Sequence, residues 1–116
     1  MSMAYTLRLR EKIKAVWSRE NTSDIYEGIY ACYQGPSLET PSEYKFLNII
    51  GADLVGMSTV PEVIVGVHAG MEIAVFSIVT NICYPPDIVT PTTLEEVLDI
   101  ARSATPLINK VIAKIL

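Results

Sequence analysis

Tyr5, Leu7, Leu9, Ile13, Val16 and Trp17 recur at roughly helical spacing among arginines and lysines, which predicts an amphipathic helix over residues 4–19, ended by the polar run 21–24. Residues 25–34 change the pattern: aromatic and β-branched types dominate, and Gly35-Pro36 stops them, so this is the first expected strand. Thr40-Pro41-Ser42-Glu43 then reads as a capping box with proline at the first helical position. The helix it opens runs through Tyr44, Phe46, Leu47 and Ile50 to a stop at Gly51. Residues 52–57 form a short second strand, 60–69 a helix ended by Gly70, and 71–80 an almost wholly apolar third strand of the kind buried on both faces. Thr92 and Glu95 make another capping box, and Leu94, Val97, Leu98, Ala101, Leu107, Val111 and Ile115 form the stripe of a long last helix, with Pro106 a candidate kink.

A leading helix followed by a βαβαβα order predicts an α/β fold, with a parallel or mixed sheet and right-handed crossovers. In such a sheet the segment after each strand lies along the carboxyl edge, where α/β proteins bind small ligands. The expected edge segments are Gln34–Glu39, Met57–Thr59, and Thr80–Asn81 with the loop 82–91 beyond.

Length and composition narrow this picture. A chain of 116 residues is one domain's worth of material, and 50% apolar with 19% charged residues marks it as globular, with an apolar surplus suited to an interface. The net charge is −4, and the basic residues gather mostly on the leading helix, which reads as a surface helix rather than a binding patch, so nucleic acid is not an expected partner. Cys32 and Cys83 are the only cysteines, with no CxxC and no His/Cys cluster; they are expected to be reduced, small core residues, and no metal site is expected. No apolar run is long enough for a signal peptide or a membrane span, and the expected location is the cytoplasm.

The edge segments bring together the Glu39 carboxylate, the Asn81 carboxamide, hydroxyls and a methionine, with no lysine or arginine among them. Glu39 accepts from ring N–H groups and Asn81 both donates and accepts, a pair suited to a heteroaromatic base. Met57 offers a soft apolar face, Tyr30 a donor for a sugar hydroxyl, and Ser58 a hydroxyl at a helix start that favours an anion. Plainer roles stand beside each of these. Glu39 before Thr40-Pro41 complements the helix dipole, Asn81 suits a turn, Met57 and Tyr30 suit a core, and Ser58 suits a cap. His68, the single histidine, falls at a predicted helix C-terminus, where capping or dipole compensation is the expected role.

Tyr30, the run Gly35-Pro36-Ser37-Leu38-Glu39-Thr40, the run from Gly51 to Glu62 (GADLVGMSTVPE) and Thr80-Asn81 closely resemble purine nucleoside phosphorylases of the trimeric type, across essentially the whole chain. The same motifs are shared in looser form with methylthioadenosine phosphorylases. The resemblance implies reversible phosphorolysis of a purine nucleoside to free base and ribose 1-phosphate, with phosphate as co-substrate and no cofactor. It implies that Glu39 binds the six-membered ring and that Asn81 stabilises N7 as the base departs. Tyr30 and Met57 then resemble ribose contacts, Ser58 a phosphate contact, and Leu38 and Val55 the walls of the base pocket.

The sequence also departs from the family. Leu38 stands where the family has an aromatic, and no histidine lies near Thr93 or Leu94, where the family contacts the ribose 5′-hydroxyl. The family's glycine-rich phosphate loop and its arginine and histidine for phosphate have no counterpart here. Residues 1–116 are therefore expected to be a single partial domain, the C-terminal half of a phosphorylase-like fold. Such a chain is expected to be inactive or nearly so alone, and to associate, either with an N-terminal half or as a homo-oligomer. The alternative is a non-catalytic purine- or nucleoside-binding module, or a remnant that survives by oligomerising.

Overall fold

In a computed structural model of the chain, the described residues are 1, 3–20 and 25–116. The predicted stop of the first helix at 21–24 lies outside them. The elements are α1 (Leu7–Glu20), β1 (Tyr30–Cys32), α2 (Pro41–Ile49), β2 (Leu54–Gly56), α3 (Thr59–His68), a 3-10 turn (Pro86–Ile88) and α4 (Leu94–Ile115).

α2 and α4 open on reciprocal side-chain caps. Thr40 caps α2 reciprocally: its backbone N–H donates to Glu43 Oε2 at 2.7 Å, and the Glu43 N–H returns a bond to Thr40 Oγ1. These bonds to Thr40 hold the Glu43 carboxyl below its ordinary range. Gly51 and Gly70 follow α2 and α3 with positive φ, the left-handed conformation that ends a helix most readily at glycine. The box of the last helix differs from expectation by one residue: Thr93 and Glu96 form it, not Thr92 and Glu95. Both pairs have the required spacing, and only Thr93 lies at the helix start in the extended geometry of a cap, with φ −94° and ψ 157°. The helix continues through Pro106, whose missing N–H leaves the Arg102 carbonyl without its usual intrahelical partner.

β1 and β2 pair in parallel, Tyr30 opposite Leu54, Ala31 opposite Val55 and Cys32 opposite Gly56. The Asp53 carboxylate locks the start of the ladder by accepting from the Ile29 N–H at 2.8 Å. The strands are shorter than expected, three residues each rather than 25–34 and 52–57. The larger correction concerns 71–80: among the described residues this segment forms no strand, and the sheet has two strands rather than three. No neighbouring strand supplies it with a ladder, so its apolar side chains are not buried on both faces; Val79 is 58% exposed. It is tied instead to the chain's start, where Thr6 N–H donates to the Ile73 carbonyl and Thr6 Oγ1 accepts from the Ile73 N–H.

α1 packs along α4, each burying one aliphatic side chain, Ile13 and Val111. At the end of that seam the Glu20 carboxylate takes Lys110 at 2.7 Å and also Lys114, which together lower its pKa from the ordinary 4.5 to about 2. The remaining buried side chains, Tyr44, Leu47 and Val63, belong to α2 and α3.

Candidate functional site

Because β1 and β2 are parallel, the segments that leave them, 33–40 and 57–59, emerge at the same edge of the sheet. Two glycines interlock these segments. A Cβ on Gly56 would sit 2.0 Å from the Tyr30 hydroxyl, and one on Gly35 would sit 2.3 Å from Met57 Sδ. Each leaves space for a side chain of the other segment: Gly56 of β2 makes room for Tyr30 of β1, and Gly35 behind β1 makes room for Met57 behind β2. The ladder closes the same corner, with the Tyr33 N–H donating to the Gly56 carbonyl at 3.0 Å.

A cleft of about 630 Å³ opens at this edge. Six of the residues singled out from sequence line it: Tyr30, Leu38, Glu39, Val55, Met57 and Asn81. Tyr30, Glu39, Val55, Met57 and Asn81 are half-buried, whereas Leu38 is exposed. Ser58 is exposed, and Thr59 rather than Ser58 lines the cleft. Ser58 occupies the N-cap position of α3 without making a side-chain cap bond, so its hydroxyl is not used by the helix.

The opposite wall is the segment from Phe76 to Tyr84. Here the Asn81 carboxamide is held at both ends: Thr80 Oγ1 donates to Asn81 Oδ1 at 3.0 Å, and Asn81 Nδ2 donates to Cys83 Sγ at 3.0 Å. Tyr44 of α2 lines the cleft as well. Burial, then the Cys83 thiol, then the Glu39 carboxylate push the Tyr44 phenol well above the usual tyrosine range. Tyr44 and Cys83 are functional candidates that the sequence does not single out. Tyr44 reads as one more apolar position of an amphipathic helix, and Cys83 as a small core residue; both cysteines are free, Cys32 exposed and Cys83 half-buried, so neither is core.

No lysine, arginine or histidine lines the cleft among the described residues. The cations of α1 are engaged elsewhere: Arg8 pairs with Glu72, and Arg10 and Lys14 with Glu27. His68 is the last residue of α3 and exposed, as its position at a helix end suggested. Among the described residues no group of histidine, cysteine and carboxylate side chains is placed to hold a metal ion, and no helix is long and apolar enough to cross a membrane.

A two-stranded parallel edge with polar groups converging on an open cleft defines an α/β unit with a candidate ligand site. The chain belongs to the phosphorylase superfamily, whose family model matches residues 1–116. Its relatives include a purine nucleoside phosphorylase 1 of Geobacillus stearothermophilus, 47% identical over 81 residues, covering 70% of this chain and 29% of the relative. A purine nucleoside phosphorylase of Cellulomonas is 40% identical over 113 residues, 96% of this chain and 37% of the relative. A solved structure of isoform 2 of purine nucleoside phosphorylase from Schistosoma mansoni, in complex with cytosine and ribose-1-phosphate, superposes with a TM-score of 0.88. It is 32% identical and matches 97% of this chain but 40% of its own. The chain thus spans well under half the length of the relatives it matches.

Proposed function

We propose that the chain is the C-terminal, base-reading portion of a purine nucleoside phosphorylase. The observation that carries this is the cleft that gathers Tyr30, Leu38, Glu39, Val55, Met57 and Asn81 from two strand ends and the 76–84 wall. Ligand classes named for the Schistosoma mansoni structure, a nucleobase and a sugar phosphate, support the same reading.

In the proposed chemistry, phosphate attacks the anomeric carbon of the nucleoside as the bond to the purine nitrogen breaks. Electrons flow into the purine, so hydrogen bonds to the ring accelerate the reaction when they strengthen as that charge develops. Glu39 accepts from the six-membered ring, and the Asn81 amide donates to N7, the atom that gains basicity as the base leaves. Tyr30 and Met57 hold the ribose, Leu38 and Val55 flank the base, and the Ser58 hydroxyl with the N-terminus of α3 contributes part of a phosphate site. That site is incomplete within this chain. Phosphate requires several cationic or N–H donors to be stripped of water and aligned, and among the described residues the cleft wall has no cation.

The chain alone therefore binds a purine base without turning over its nucleoside, and the rest of the phosphate site comes from additional polypeptide. The exposed surface is consistent with association: 8506 Å² for 12.8 kDa, against about 6,300 Å² for a compact monomer of that mass. Incubation of the purified chain with inosine and phosphate tests the central point. No release of hypoxanthine is expected; robust turnover without added polypeptide would overturn the division of labour. Sedimentation at micromolar concentration is expected to show an oligomer, and a clean monomer would count against association.

A further inference from the structure

A glycine costs conformational entropy on folding and offers no side chain to pack, so one placed in a strand or just behind it calls for a reason. Gly56 ends β2, and Gly35 follows β1. Neither has a positive φ, in contrast to Gly51 and Gly70, so the left-handed backbone is not that reason. What both positions require is space. A Cβ on Gly56 would sit 2.0 Å from the Tyr30 hydroxyl oxygen and 2.9 Å from Cζ, and one on Gly35 would sit 2.3 Å from Met57 Sδ and 3.2 Å from Cε.

The ladder shows how that space is used. Tyr30 is paired with Leu54, and Gly56 lies two residues further along the same face of β2, about 6.6 Å toward the carboxyl edge. The Tyr30 ring therefore runs diagonally across β2, and its hydroxyl comes to the edge where the cleft opens. Met57 crosses the other way: it leaves β2, and its thioether rests on Gly35 behind β1.

We propose that Gly56 and Gly35 are positioning residues for the sugar end of the cleft. Each sets where a side chain from the other strand lies, Gly56 for the Tyr30 hydroxyl and Gly35 for the Met57 thioether. The consequence for recognition rests on the assignment of Tyr30 and Met57 to the ribose given above.

The two glycines respond differently to a methyl group, and the difference separates position from stability. The Tyr30 hydroxyl is carried by a rigid ring, so an added methyl at Gly56 displaces ring and strand together. The Met57 thioether is the flexible end of an unbranched side chain, which swings aside at little cost to the fold. Gly35→Ala thus moves a cleft side chain without dismantling its wall, and Gly35 itself does not line the cleft. A glycine with a packing role alone has no such consequence: a Cβ on Gly66 of α3 would lie 2.8 Å from Ile73 Cδ1, and neither residue lines the cleft.

The test has a ligand-free arm and a ligand arm, with the fold of each variant verified by circular dichroism. Carbon-13 labelled methionine methyls give one signal from each of the four methionines, and Met57→Leu assigns that of Met57. Met1, Met3 and Met71 are exposed and serve as internal controls. Gly35→Ala is expected to shift the Met57 methyl and to leave the other three in place, whereas Gly66→Ala leaves Met57 where it is. For the second pair, the drop in urea midpoint caused by Gly56→Ala is expected to shrink in a Tyr30→Phe background, because the atom nearest the new methyl is gone. An unmoved Met57 methyl in Gly35→Ala, or a midpoint drop of equal size in both Tyr30 backgrounds, overturns the proposal whether or not a nucleoside binds.

In the ligand arm, inosine and hypoxanthine are titrated calorimetrically, so that the ratio of their affinities isolates the sugar. Wild type is expected to prefer inosine. Gly35→Ala is expected to reduce that preference severalfold with hypoxanthine affinity unchanged, and to reduce it no further in a Met57→Ala background. Full additivity of the two substitutions, or an equal fall for both ligands, would mean that Gly35 does not act on the sugar through Met57, and would overturn the proposal. A shifted Met57 methyl with no preference of wild type for inosine would support the positioning and sink the ribose assignment.

Discussion

On one side of the cleft, Tyr30 to Thr59 are fixed by a parallel ladder, two glycine contacts and a reciprocally capped helix. On the other, Phe76 to Tyr84 have no ladder, and their order comes from a few side-chain bonds around Asn81 and an anchor upstream at Ile73. The difference shows that the two walls carry their information differently. The first wall is self-specifying, because each motif supplies the space that the other needs. The second is apolar and exposed, Val79 at 58%, the kind of surface that suits the association proposed above. The radius of gyration, 15.4 Å against about 13.4 Å for a compact domain of this length, agrees with a chain whose own core is small.

Substitutions break this contrast in graded ways. The largest effect is expected from Gly56→Ala, whose methyl would lie 2.0 Å from the Tyr30 hydroxyl, the rigid end of an aromatic ring. Overpacking of this kind costs roughly 1–3 kcal/mol, measured by urea unfolding, whereas Gly35→Ala meets the flexible Met57 thioether and should cost less. Next comes Thr40→Ala, which removes the Thr40 hydroxyl that accepts from the Glu43 N–H and should destabilise by about 1 kcal/mol on the same assay.

The α1–α4 seam gives a pH signature. Glu20 has a depressed pKa, so its contribution is present above its ordinary value of 4.5 and is lost as pH falls toward about 2. A thermal midpoint that falls over this window in wild type, and falls less in Glu20→Gln, is the expected outcome; identical profiles would show that the Lys110 and Lys114 contacts contribute nothing. The smallest effect belongs to the second wall. Val79→Ser should change folding stability by no more than about 0.5 kcal/mol, while weakening any association seen by sedimentation.

Much of the first wall is legible in the sequence. Thr40-Pro41-Ser42-Glu43 carries its own capping chemistry, and the helix stops at Gly51 and Gly70 require the left-handed backbone that glycine provides. Tyr30, Leu38, Glu39, Val55 and Met57 are legible because they lie on two parallel strands or on the loops that trail them to one edge, whereas Asn81 follows a segment that forms no strand. The second wall is not, for a physical reason. An apolar run such as 71–80 states that a segment is suited to burial, but a strand also needs a partner, and hydrophobic pattern does not supply one. The shifted box at Thr93 is ambiguous in sequence because two pairs share the same spacing. Tyr44 and Cys83, which also line the cleft, escape a sequence reading since their meeting there depends on where α2 and the 80–84 segment lie, which no local pattern encodes.

Calorimetric titration of the 116-residue chain with hypoxanthine, wild type against Glu39→Gln, tests the division of the active site most directly. The account predicts saturable binding by wild type, weakened at least tenfold by Glu39→Gln, the scale of one hydrogen bond to a charged group. Equal affinity in the two proteins, or no binding by either, would contradict the claim that this chain holds the base-reading side of the site.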